Sequence, residues 1–290
     1  MEKNWYDKSY RLLLIIPAVL LLFSVVYLYN FNNENGDIIN KDVSLTGGTT
    51  ITVIDGDVEL DSLEEYLEER FEDINVRGIS DIRTGKMQGF FVETGAEPAE
   101  IESALEEFLG YGLNSDNSSI EFSGASLSSG FYQQLRIAVL FAFLFMAIVV
   151  FVVFRSAVPS LAVILSAFAD IVMTLMVVNV LGMRLSSAGI IAFLMLIGYS
   201  VDTDILLTTR VLKKKNISIN SRIYDALKTG FTMTLTSMVA VAIALIVIFN
   251  FSDALRQIFS VLLIGLGFDL LNTWFANASI LKWYAERKER

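Results

Sequence analysis

The chain has 290 residues, 54% of them hydrophobic, with a mean hydropathy of +0.56 and a formal net charge of -10. It contains neither cysteine nor histidine, which excludes disulfides, thiol chemistry and histidine-based metal or proton sites. The apolar residues exceed what a soluble domain carries and lie in long blocks, the pattern of an integral membrane protein.

Lys3, Lys8 and Arg11 precede an apolar block from Leu12 to Tyr29, close to the roughly 20 residues that cross a bilayer core. No small-residue cleavage site follows in Tyr27 to Phe31, so the block reads as an uncleaved anchor rather than a secretory signal. Residues 31–133 hold 22 Asp and Glu against 5 Lys and Arg. Such a surface suits salty surroundings, or the attraction of cations and basic chains. Within it, Leu45-Thr46-Gly47-Gly48-Thr49 is a turn or a close backbone approach, and Thr49 to Ile54 is a β-rich run. Leu60, Leu63, Leu67 and Phe71 then keep a helical period, with Asp57 or Asp61 placed to cap it. Val76 to Ile82 and Gly89 to Glu93 are candidate strands, a helix runs from Pro98 to Leu109, and Ser119 to Ser123 is a last strand. The order βαββαβ is that of ferredoxin-like domains.

Five further apolar blocks follow: Leu135 to Phe154, Val158 to Leu181, Ser186 to Leu207, Gly230 to Phe249 and Gln257 to Leu281. The predicted fold is an α-helical integral membrane protein with six transmembrane helices, one plus five, and one external α+β ferredoxin-like domain. Expected boundaries are 1–30 for the N-terminus and first span, 31–133 for the external domain, 134–282 for the five-helix bundle and 283–290 for the tail. Basic residues gather before the first span, at Arg155, in Arg210, Lys213, Lys214, Lys215, Arg222 and Lys228, and in the tail Lys282, Arg287, Lys288 and Arg290. This places both termini in the cytoplasm, with Arg184 as an exception that does not overturn the pattern.

Four acids lie inside the apolar blocks. An ionised Asp near the middle of a membrane helix costs about 2.5 to 3.5 kcal/mol, so each is a candidate functional group. Asp202 and Asp204 sit in the fourth span at i and i+2, about 200° apart, and cannot share a face. Asp202 aligns with Gly198, Leu206 and Arg210, and Asp204 with Ser200. Arg210, about 12 Å of helix rise beyond Asp202, is too far to pair with it and marks the cytoplasmic helix end. The third span carries Ser166, Asp170 and Thr174 on one edge, and the sixth Asp269, Thr273 and Asn277, with Asn272 beside them. Such edges must face protein or water. The fifth span supplies Thr229, Thr232, Thr234, Thr236 and Ser237, hydroxyls suited to helix packing or, for Thr232 and Thr236, to a relay. With no central Lys or Arg, these carboxylates must be protonated, hydrated or paired across a subunit boundary. No P-loop, nucleophile elbow or Gly-rich dinucleotide fingerprint occurs; no enzyme activity, cofactor, metal or nucleic-acid partner is expected.

One anchor span, an acidic external domain opening with Leu45, Gly47, Gly48 and Thr49, and five clustered spans with Gly198, Tyr199 and Ser200 in the fourth together resemble the SecF family of protein-export membrane subunits, within the resistance-nodulation-division superfamily. The resemblance covers the whole chain. It implies a SecD partner of similar six-span plan joined by a pseudo-two-fold axis, the SecY channel and a translocating polypeptide as further partners besides membrane lipid, and the use of a proton gradient in export across the cell membrane. It also ranks Asp202 as the principal proton-responsive group, with Asp204, Asp170 and Asp269 in support. Three departures stand out. The family's Asp before Gly-Gly falls at Ser44, the bacterial Asn-Asp-Thr reads Asp202-Thr203-Asp204, and the bacterial Arg of the fifth span is Thr232. Two other readings are a lipid or small-molecule exporter of the same superfamily and a non-transporting assembly scaffold.

Overall fold

A computed structural model describes residues 5–80, 84–213, 217–249 and 252–289. Lys3, Lys214, Lys215, Arg290 and the predicted strand end at Ile82 lie outside the described residues. The first span begins with a short helix α1 (Trp5–Leu13) and continues as α2 (Ile15–Asn35), which ends on Gly36 at φ 74°. A single helical turn, α3 (Val43–Thr46), leads into the external domain: β1 (Gly48–Val53), α4 (Leu60–Glu68), β2 (Asn75–Ser80), β3 (Met87–Thr94), α5 (Pro98–Leu109) and β4 (Ser118–Ser123). The bundle comprises α6 (Ala125–Phe154), α7 (Ala157–Val180), α8 (Ser187–Lys213) and α9 (Ile219–Ile248). It is completed by a sixth span of α10 (Asp253–Leu271), a π-helical turn Asn272–Asn277 and α11 (Ala278–Lys288). Among the described residues, six helices are long and apolar enough to cross a membrane, as expected. All but the third extend beyond their apolar blocks, because flanking polar residues add turns at the rim.

The external domain has the predicted βαββαβ order, and its antiparallel sheet runs β2-β3-β1-β4. Alternation along β1 sends Ile51 and Val53 to the helix-covered face, where Phe90, Val92, Leu63, Leu67, Ile101 and Leu105 complete a core. Neither Asp57 nor Asp61 caps α4. Glu59 holds the N-cap position, its carboxylate accepting the Ser62 hydroxyl at 3.1 Å rather than capping a backbone N–H, and Asp61 lies in the first turn, where its charge complements the helix dipole. The Leu45 to Thr49 stretch is more than a turn. Asp42 caps α3, its Oδ1 accepting the Ser44 N–H at 2.9 Å and the Ser44 hydroxyl at 2.6 Å. A carboxylate thus serves this segment two residues before Ser44. At Gly47 (φ 89°) a Cβ would come within 2.4 Å of the Ala125 Cα, and at Gly48 (φ 146°) within 2.3 Å of the Thr94 carbonyl oxygen. The paired glycines therefore allow the linker to pass between α6 and β3.

Backbone bonds seat the linker on the connection between α7 and α8: Leu185 N–H to the Asn40 carbonyl at 2.7 Å and Asp42 N–H to the Leu185 carbonyl at 3.1 Å. Arg184, the exception to the charge pattern, pairs with Asp73 of the external domain at 2.7 Å. Its charge is placed for an ion pair rather than for topology. At the opposite end of the bundle the two termini meet. Tyr10 donates its hydroxyl to Glu286 at 3.2 Å, and the Ser279 hydroxyl bonds the Tyr10 carbonyl at 2.8 Å. Arg222 of α9 pairs with Glu289 at 2.7 Å there, and Lys282 bonds Asn220 at 2.6 Å. Both termini and the α8–α9 connection therefore share one side, away from the external domain.

Candidate functional site: a carboxylate core in the bundle

Helix periodicity puts Ser166, Asp170 and Thr174 on one edge of α7, and all three are buried. Ser200 and Asp204 form the inward edge of α8, while Gly198, Tyr199 and Asp202 are exposed on its outer side. The 200° separation of the two acids is realised, with Asp204 inside and Asp202 outside. Asp202, ranked first at the outset, thus lies away from the other three acids, and Asp204 takes the inner position.

Asp170, Asp204 and Asp269 are fully buried and held by neutral donors. Ser200 donates to Asp170 Oδ2 at 2.5 Å and the Asn272 amide to Asp170 Oδ1 at 2.6 Å. Asp204 Oδ1 accepts two bonds, from Thr273 at 2.8 Å and from the Asn277 amide at 2.7 Å. Thr273 also lies 3.2 Å from Asp269 Oδ1, and Thr234 of α9 lies 3.5 Å from Asp269 Oδ2. A hydroxyl carries one hydrogen, so Thr273 donates to Asp204 or to Asp269, one at a time. Asp204 Oδ2, Asn272 Oδ1 and Asn277 Oδ1 are buried with no partner among the described residues. No basic side chain ion-pairs with any of the three carboxylates among the described residues.

The sixth span supplies this geometry through its π-helical turn, a distortion that recurs at functional sites. Adjacent helical residues diverge by about 100°, which sends Asn272 toward α7 and Thr273 toward α8. Gly230 of α9 permits the close packing behind it, since a Cβ there would meet the Trp274 ring at 2.6 Å.

Several supporting residues fall elsewhere. Thr232 and Thr236 are exposed and return their hydroxyls to the carbonyls of Lys228 (2.8 Å) and Thr232 (2.7 Å), so they make local backbone bonds and do not reach the core. Ser237 is half-buried beside them. Arg210 bonds the Asp225 carbonyl at 2.9 Å at the end of α8. Thr234, undistinguished among five hydroxyls in the sequence, is the one that reaches the carboxylates. It lies one turn beyond Gly230, which packs against Trp274 of the sixth span, a contact that the sequence does not show.

Residues 104–287 match the family described as protein export membrane protein SecD/SecF, C-terminal. The protein-export membrane protein SecF of Methanocaldococcus jannaschii is 41% identical over 286 residues, covering 96% of both chains. The chain belongs to the SecF family. The SecF of Methanothermobacter thermautotrophicus is 39% identical over 96% of this chain and 94% of its own, and that of Pyrococcus furiosus 33% identical over 96% and 92%. A crystal structure of a Thermus SecDF, described as a translocon-associated membrane protein, superposes with a TM-score of 0.75 at 18% identity. It covers 99% of this chain, which spans 39% of the SecDF chain. A SecDF in a super-membrane-facing form superposes with a TM-score of 0.59. The architecture is thus shared with SecDF, and membership of the SecF family marks this chain as an accessory membrane subunit of Sec translocation.

Proposed function

We propose that the chain acts beside a SecD partner in the cell membrane, with both termini in the cytoplasm, to help polypeptides leave the SecY channel, and that Asp170, Asp204 and Asp269 relay the protons that drive it. The carrying observation is the set of three buried carboxyl groups without a resident cation, Asp204 and Asp269 joined through Thr273 and Asp170 held beside them by Ser200 and Asn272. Such a set must share protons or counter-ions. Each proton crossing 100 mV supplies about 2.3 kcal/mol, an approximately fifty-fold bias on a conformational equilibrium. The principal role moves from Asp202 to Asp204, because Asp204 sits where the hydrogen-bonded chain runs.

Asp202 then has a different task. An exposed carboxylate on an otherwise apolar helix face belongs against protein, not hydrocarbon, and Ile191, Met195 and Tyr199 share that face. SecD is the partner that would cover it, in line with the pseudo-two-fold pairing the family implies. The decisive experiment is gradient-dependent export in vesicles containing SecD and this chain. Asp204→Asn is expected to abolish the gradient's effect while leaving SecD bound, and Asp202→Asn to weaken SecD association. Undiminished gradient stimulation in the Asp170→Asn, Asp204→Asn and Asp269→Asn variants alike would defeat the relay.

A further inference from the structure

We infer that the outer edge of β4 is a docking strand for an extended polypeptide segment, which adds to the external sheet as a fifth strand beside the acidic cleft. Among the described residues, β4 pairs with β1 alone. The Ile54 N–H donates to the Asn117 carbonyl at 2.8 Å, so the hydrogen-bonded pairs of this antiparallel ladder alternate through Thr52 with Ser119 and Thr50 with Glu121. The backbone N–H and C=O of Ile120 and Phe122 consequently point outward, and among the described residues no backbone bond between elements reaches them. The Ser118 N–H is taken by the Asn114 carbonyl at 2.8 Å, which limits the bare edge to two residues.

Exposed strand edges are ordinarily blunted by proline, lysine or bulges. The opposite edge, β2, carries an irregularity at Ile79 and Ser80. β4 carries no proline, lysine or register shift, its one charged residue, Glu121, lines the cleft, and its Ile120 and Phe122 are 38% and 52% exposed. Beneath the open face of the sheet lies a cleft of about 630 Å³, lined in part by Glu93, Glu121, Phe122, Leu127 and Phe131. α6 has 30 residues, about 45 Å against a hydrocarbon core of about 30 Å. Its first turns, with Leu127 and Phe131, therefore rise beyond the membrane into the cleft wall.

A guest strand alternates its side chains. One set would lie over Ile120 and Phe122, the other over Glu121 and the cleft, so the matching segment alternates apolar with basic or polar residues. The surplus of acids in residues 31–133, 22 against 5 basic residues, favours a cationic guest. Two outward donor–acceptor pairs grip weakly, which suits a chain that must move on better than a permanent sheet-to-sheet contact. This inference rests on the reading that the protein handles exported polypeptides and names where it would hold them.

The test uses the full chain in lipid nanodiscs with no gradient, so its outcome is independent of the proton relay. The probe is a fluorescent peptide of alternating Lys and Val, alongside a twin N-methylated on alternate amides. Ile120→Pro removes an outward N–H while leaving the β1–β4 ladder intact, since proline is tolerated where a strand edge faces solvent. Expected results are at least tenfold weaker binding for Ile120→Pro and for the methylated twin, weakening with salt, and photocrosslinking of the peptide from position 122. Equal binding of the two peptides to the unmodified protein would overturn the inference, and this arm stands even if Ile120→Pro fails to fold. Absence of peptide binding, or an Ile120→Pro-sensitive contact only with the folded external domain of SecD, would overturn it as well.

Discussion

Asp204 offers a substitution that separates chemistry from architecture. Both donors to this residue, Thr273 and the Asn277 amide, converge on Oδ1, and Oδ2 has no partner among the described residues. An Asn at this position can present its single oxygen to both donors and set its amide where Oδ2 lay. Asp204→Asn is therefore expected to change stability by less than about 1 kcal/mol, in keeping with interhelical hydrogen bonds in membranes that average about 0.6 kcal/mol. Asp204→Ala removes the acceptor. Thr273 can still turn to Asp269, but the Asn277 amide is left buried and unsatisfied, at a cost of about 1 to 3 kcal/mol. Unfolding in mixed micelles at increasing denaturing detergent measures both, and the vesicle export assay measures coupling. The two variants should differ in stability yet lose gradient stimulation together. Equal destabilisation by Asn and Ala would show that the shared-oxygen geometry is wrong.

Gly230→Ala should destabilise by about 1 to 3 kcal/mol through overpacking against Trp274, read by the same unfolding titration. Thr234→Val should alter gradient-dependent export, whereas Thr232→Val and Thr236→Val, whose hydroxyls bond only their own helix, should leave it within error. A double-mutant cycle on Arg184→Gln and Asp73→Asn should give a coupling of about 0.2 to 1 kcal/mol that fades with salt, because the pair is partly exposed. Burial and the adjacent Asp55 carboxylate push the Tyr111 hydroxyl from 10.0 up to about 12. Its contribution to external-domain stability is therefore complete below about pH 10 and lost as pH rises toward 12. Tyr111→Phe should flatten that alkaline slope in a thermal-unfolding series.

The six spans, the βαββαβ order and the polar edges of the third and sixth spans were legible because each depends on periodicity within one segment. Choosing between Asp202 and Asp204 was not. Helix geometry separates the two acids, but only the packing of α7 and the sixth span against α8 decides which one points inward. The π-helical turn left no mark in the residue pattern, so Asn277 read as one more polar residue on an edge rather than a donor to Asp204. Arg184 looked anomalous because the charge rule counts loops one at a time and cannot see that Asp73, over a hundred residues earlier, waits beside it.

Two spans, α6 and α9, are scarcely covered by the rest of the chain, and Asp202 stands bare on the outer side of α8. A copy with nothing covering that face leaves the carboxylate against lipid tails, at about 2.5 to 3.5 kcal/mol. Were SecD to cover it as proposed, matched synthesis of the two polypeptides would keep the charge off the lipid, and surplus copies would be targets for membrane quality-control proteases.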